Sequence, residues 1–155
     1  METALKPKVL SERSKKNLEN VHPDLIRIIN RCLSYGTVDF SVIQGQRSIE
    51  QHLQNIARGV SKISMSKHCY DPSCAFDFIM YPFTGWTDAA GFDKVAKELV
   101  RAAKELGIPA RSGGDWNRDG NFRNDRFYDG GHFELILPYS DPKPVIPSIQ
   151  RGGKK

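Results

Sequence analysis

Apolar residues recur at helical spacing through residues 22–36, where Leu25, Ile28, Ile29, Cys32 and Leu33 share one side of a 3.6-residue repeat. Pro23 suits the first turn of that helix and Gly36 its end. A short helix in SERSKKNLENV should precede it, capped by Ser11. At residue 38 the period changes to two. Val38, Phe40 and Val42 alternate with polar neighbours and predict a strand over 38–44. Gly45 turns the chain, and SIEQHLQNIARG predicts a helix over 48–59. Residues 61–74 are polar and irregular. CAFDFIMYP returns to strand, with Ala75, Asp77 and Ile79 on one face and Phe76, Phe78 and Met80 on the other.

The clearest helix is TDAAGFDKVAKELVRAAKELG. Its stripe of Phe92, Val95, Ala96, Leu99, Val100, Ala103 and Leu106 reads as core packing rather than a partner site. A short strand over 108–111, a Gly/Asp/Asn-rich loop over 112–131 and a last strand in HFELILP follow. Helices come first, then strands mixed with one long helix. That order predicts an α+β fold with a small, mainly antiparallel sheet. At 155 residues the chain is one domain, without internal repeats or a linker. The expected organisation is a flexible lead-in over 1–10, a folded domain over 11–137 and a Pro-rich basic tail over 138–155, which holds four of the nine prolines.

Hydrophobic residues make up 39% of the chain and charged residues 26%, enough to bury a core and to exclude global disorder. No apolar run approaches the ~18 residues of a membrane span. The first residues carry charge but no apolar stretch, so no signal peptide is expected. A protein made in the cytoplasm then needs another agent to let it out. Three cysteines are too few for a disulfide scaffold, and Cys32 fits a core helix. The net charge of +5 sits in the ends: residues 1–35 and 138–155 are each +3 and the middle is −1. Basic ends suit loose attraction to a polyanion without choosing among wall polymer, lipid and nucleic acid.

Four histidines are present: His22, His52, His68 and His132. The first two sit where structural or solvent-exposed roles suffice. His68 lies in the polar loop before a strand and His132 opens the last strand. Asp77 stands inside an apolar strand, where a carboxylate is costly unless paired or bound to metal. His, Asp and His form a sound ligand set for a catalytic zinc, leaving one position open. The alternative is a buried Asp paired with an Arg and a His capping a strand. A closed site from His68, Cys69, Cys74 and His132 is a further rival that leaves Asp77 unexplained.

Asp129 precedes His132 across two glycines and can fold back toward the metal as an acid/base; DGG can equally be a turn before a strand. Glu134 shares a strand face with His132 and could orient it from behind. In the 115–126 loop, Asp115, Asn117, Asp119, Gly120 and Asn121 follow the first half of a calcium loop. Arg126 stands where the bidentate Glu belongs, and Asp125 could substitute for it. The plain alternative is a solvated turn.

Taken together, SKH (66–68), AFDF (75–78), GGDW (113–116) and DGGHFEL (129–135) resemble the zinc peptidases of the D-alanyl-D-alanine carboxypeptidase/VanY type. More narrowly, with VHPDL (21–25), QGQRS (44–48) and QNIARGVS (54–61) in the same order, they resemble the phage L-alanyl-D-glutamate endopeptidases. The resemblance covers residues 11–137. It implies zinc held by His68, Asp77 and His132, Asp129 as catalytic acid/base, Arg47 facing the substrate, and Ser66 with Glu134 around the ligands. It also implies the small α+β fold shared with hedgehog proteins and DD-peptidases. The stretch between His68 and Asp77 is longer than the related pattern usually has, through CYDPSC (69–74), which makes Asp71 a rival ligand and lets Cys69 and Cys74 bond.

The expected function is therefore a zinc-dependent (with Ca2+ as a second candidate ion) peptidoglycan endopeptidase, an endolysin active in host cell lysis. The expected partner is bacterial peptidoglycan, with no nucleic acid, no stable membrane insertion and a monomeric state. It would be made in the host cytoplasm and act on the cell wall after release. A D-alanyl-D-alanine dipeptidase or carboxypeptidase and a non-catalytic zinc-stabilised binding domain are the alternatives.

Overall fold

The computed structural model describes residues 6–47, 51, 54, 67–120, 122, 128–136 and 143–144. Helix α1 spans Glu12–Asn17 and starts where the Ser11 hydroxyl accepts the Ser14 N–H at 3.1 Å. Helix α2 spans Pro23–Ser34. His22 is buried and caps α2, its Nδ1 accepting the Asp24 N–H at 3.0 Å, so this histidine is structural. The helix expected over 48–59, with His52, lies outside the described residues apart from Gln51 and Gln54.

Strand β1 spans Phe40–Gln44, β2 Tyr70–Asp71, β3 Ala75–Met80, β4 Ala110–Ser112, β5 His132–Leu135 and β6 Lys143–Pro144. Helix α3 spans Ala89–Leu106, begins at an Asp88 cap and stops at Gly107 in the left-handed conformation. The main sheet has the order β1-β3-β5-β4, with every neighbour antiparallel, and β2 pairs with β6 apart from it. The expected strand over 108–111 is shifted to 110–112. β6 was not legible because Lys143–Pro144 carries no apolar alternation; it forms by pairing with β2. At the other end of the chain the Lys8 N–H donates to the Leu33 carbonyl at 2.9 Å, and Leu10 packs on the core.

The alternation in β3 sorts its side chains. Phe76 and Phe78 are fully buried in the core with Leu25, Ile29, Leu99 and Phe133, and α3 packs on both α2 and β3. Removing one such phenylalanine side chain costs about 3–5 kcal/mol. Asp77 therefore points to the opposite face. The β1–β3 register slips between Val42 and Gln44, a bulge that sets Gln44 opposite Asp77. Two strands and a bulge thus converge on one rung of the sheet.

Candidate active site

Asp77 and His132 are direct partners across the β3–β5 ladder. His68 reaches the same point from a single 3-10 turn, Lys67–Cys69, just before β2. That turn is held from both sides: the His68 carbonyl accepts the Arg47 N–H at 2.9 Å, and the Lys67 carbonyl accepts the Cys74 N–H at 2.9 Å. One ligand atom from each of His68, Asp77 and His132 lies within 4.8 Å of the other two, so this group is able to hold a metal ion. It is the sole such cluster of His, Cys, Asp and Glu found among the described residues.

The ring nitrogens have separate tasks. His68 Nδ1 stands 2.8 Å from the Gly45 carbonyl, which can only accept, so the proton sits on Nδ1. Nε2 is then the nitrogen turned to the cluster, 3.2 Å from Asp77 Oδ1. His132 is reversed. Its Nε2 stands 2.8 Å from Glu134 Oε1 and its Nδ1 stands 3.2 Å from Asp77 Oδ1. Both inward ring nitrogens face the same carboxylate oxygen. With those nitrogens deprotonated, two imidazoles and one carboxylate, each histidine oriented by an outer partner, would suit a zinc-type cation.

Charge reinforces the arrangement. Burial pushes Asp77 up, but His68 and His132 outweigh it and hold its carboxyl well below the usual carboxylate range. Burial alone would depress His132; Asp77 and Glu134 reverse that and raise it to about 9. Burial also acts against ionised Glu134, yet His132 and Lys67 lower it to about 2. Glu134 is a hub: Oε2 accepts Lys67 Nζ at 2.8 Å and Arg111 Nε at 2.9 Å. Glu134 was legible in the sequence, but its two cations were not. Arg111 is its cross-strand partner on β4, and that signal needs the β4–β5 register.

Arg47 is brought to the cluster. Its Nη2 donates to Gln44 Oε1 at 3.0 Å and stands 4.0 Å from Asp77 Oδ2. Asp129 is also adjacent. Its N–H donates to the Gly113 carbonyl at 2.7 Å, and its carbonyl accepts the His132 N–H at 3.1 Å. A side chain on Gly113 would collide with the Asp129 carbonyl, at 2.3 Å, which is why a glycine stands there. Burial pushes the Asp129 carboxyl up and Asp77 adds to it, while His132, His68 and Arg47 pull the other way; the net direction is up. Trp116 walls the site, its ring 5.6 Å from that of His132 with the Arg111 guanidinium 5.1 Å above it.

Other expected residues fall elsewhere. Cys74 is buried in the core cluster, its Sγ toward the Pro72 carbonyl. The side chains of Ser66, Cys69 and Asp71 lie outside the described residues, as do Asn121 and Asp125. Asp115 is buried, its oxygens accepting the Asp119 N–H at 3.2 Å and the Gly120 N–H at 2.9 Å. Asn117 also accepts from the Asp119 N–H at 3.2 Å.

Fold and site together define an α+β protein with a His/Asp/His group, its two histidines buried and its aspartate partly so, that can hold a metal. Residues 8–136 match the sequence profile of the family described as phage L-alanyl-D-glutamate peptidase. The L-alanyl-D-glutamate peptidase of Escherichia phage T5 is 37% identical over 131 residues, which span 81% of this chain and 96% of that protein. The crystal structure of the Serratia marcescens L-Ala D-Glu endopeptidase ChiX matches with a TM-score of 0.68 at 32% identity, covering 82% of this chain and 89% of that one. The chain belongs to the phage L-alanyl-D-glutamate peptidase family.

Proposed function

We propose that this peptidase hydrolyses the L-alanyl-D-glutamate bond of peptidoglycan stem peptides, as a zinc-dependent endolysin acting on the cell wall after release from the host cytoplasm. The carrying observation is the convergence of His68 Nε2, Asp77 Oδ1 and His132 Nδ1, with the opposite nitrogen of each histidine already engaged. These three residues would hold the zinc, which when bound would supply a Lewis acid to polarise a carbonyl and acidify water.

The chain's own residues do the rest. Asp129, its carboxyl raised by burial, takes a proton from water and returns it to the departing amine. Arg47 holds a substrate carboxylate or the developing oxyanion. Glu134 keeps His132 in the tautomer that offers Nδ1. Residues 11–137 carry this activity as a monomer, with the basic ends drawing the protein to anionic surfaces. No helix among the described residues is long and apolar enough to cross a membrane.

Calcium in the 115–125 loop is a second element of this reading. Asp115 supports it by folding the loop onto Asp119 and Gly120, with Gly120 at φ 85°. A rate that rises with added calcium supports this element; a flat response restricts the loop to a turn.

The test is digestion of purified peptidoglycan with and without a zinc chelator, followed by identification of the new amino termini. New D-glutamate amines that disappear with chelation are expected. Released D-alanine would instead point to a D-alanyl-D-alanine peptidase, and no new amine to a binding domain.

A further inference from the structure

Five large hydrophobic residues are exposed among the described residues, and four of them are aromatic: Tyr81, Phe83, Trp86 and Tyr128. Three of these lie in the segment between β3 and α3. Trp86 is 67% exposed, yet its ring is nearly parallel to buried Phe92, at 18° and 6.2 Å between centroids. One face of the indole is therefore backed by the core, while most of the side chain stays exposed. Phe83 meets it edge to face at 5.1 Å. The segment is pinned as well: the Thr84 hydroxyl donates to Asp88 at 2.5 Å, and Asp88 accepts the Gly91 N–H at 3.1 Å. Two exposed aromatic rings in mutual contact, on a pinned segment, offer a contact surface.

This surface adjoins the segment that leads into β5. Tyr128 directly precedes Asp129, and its hydroxyl donates to Asp93 at 2.7 Å and to the Ala89 carbonyl at 3.3 Å, at the start of α3. The Phe92 ring that backs Trp86 comes within 3.3 Å of where a Cβ on Gly131 would stand, and Gly131 is the neighbour of His132. The Phe92–Gly131 approach and the bonds from Tyr128 to the start of α3 thus put the Trp86–Phe83 pair at the end of the sheet where β5 begins.

We infer that Trp86 and Phe83 form a subsite for the amino-sugar backbone of peptidoglycan. The inference rests on the proposed function, because it follows from the chemistry of that substrate. The L-alanyl-D-glutamate bond is the first peptide bond beyond the sugar's lactyl group, so one residue, on the order of 3.5 Å of chain, separates the link from the cut. The sugar must then rest on the rim of the same site. A core-backed, exposed indole matches the apolar face of a pyranose ring. Residues 81–88, YPFTGWTD, carry no lysine or arginine and one aspartate, unlike the basic, aromatic surfaces that hold anionic lipid.

The experiment compares two substrates, a free stem tetrapeptide and the same tetrapeptide on its disaccharide, with wild type, Trp86→Ala, Phe83→Ala and Trp86→Tyr. For wild type the disaccharide form is expected to have the lower KM. Trp86→Ala should raise KM for that form about tenfold while leaving free-peptide cleavage within about twofold. Trp86→Tyr should restore most of the difference. Equal effects of Trp86→Ala on both substrates, or none on either, would overturn the subsite. Wild type that cleaves neither substrate defeats the proposed function itself, a separate result. Free-peptide turnover also reports folding, and Phe83→Ala repeats the test without removing the ring stacked on Phe92.

Discussion

His132 and Glu134 stand two residues apart on β5, and their side chains meet at 2.8 Å, Nε2 to Oε1. A strand places alternate residues on one face, so this pair is fixed by the backbone and needs no loop to form it. Glu134→Gln removes the charge that holds the Nε2 proton and leaves Lys67 and Arg111 facing a neutral amide. Zinc affinity should fall about 10–100-fold. Competition with a chromophoric chelator measures it, and circular dichroism checks that the fold remains.

Asp129 is placed by its backbone, between the Gly113 carbonyl and the His132 N–H. Asp129→Ala should therefore keep the fold and the bound metal while kcat falls about 10²–10⁴-fold. Metal content by elemental analysis, alongside hydrolysis of stem peptide, separates the two. Full activity in Asp129→Ala removes the acid/base assignment.

The pH dependence of metal binding follows from His132. Asp77 and Glu134 raise it to about 9, and the same lone pair must be free to hold a cation. Proton and metal compete, so apparent zinc affinity should rise about tenfold per pH unit below pH 9 where this group alone titrates. Titrations at pH 6, 7 and 8 read the slope.

Glu134 gives a second pH signature, in stability. Its folded-state pKa is depressed from 4.5 to about 2. Its stabilisation is present above pH 4.5 and is lost as pH falls toward 2, because only the unfolded chain is then proton-bound at the start of that window. The loss is on the order of 3 kcal/mol. Urea unfolding of wild type between pH 5 and 2 should show it, and Glu134→Gln should show a shallower dependence.

Much of the site was legible because its chemistry contradicts its surroundings. Asp77 in AFDFIM and His132 in HFEL are polar residues in strands that otherwise build the core, and the two-residue period puts Glu134 beside His132. Ser11, Pro23 and the α3 stripe likewise carried the helices. The remainder depends on pairings between distant segments. Lys67 reaches Glu134 across 67 residues, Tyr128 reaches Asp93 across 35, and the Gly45 carbonyl sets the His68 tautomer across 23. No local pattern encodes those contacts. His22, for which the sequence left a structural and a solvent-exposed role open, takes the structural one: the core closes over it as a helix cap.

The central claim is that His68, Asp77 and His132 hold one catalytic zinc ion. The most direct test is calorimetric titration of zinc into chelator-stripped protein, with stem-peptide hydrolysis followed on the same samples, for wild type and His68→Ala, Asp77→Ala and His132→Ala. The account predicts one zinc per wild-type chain, hydrolysis rising in step with occupancy, and loss of both in each variant. Tight stoichiometric binding that survives all three substitutions, or hydrolysis by stripped protein, would contradict it.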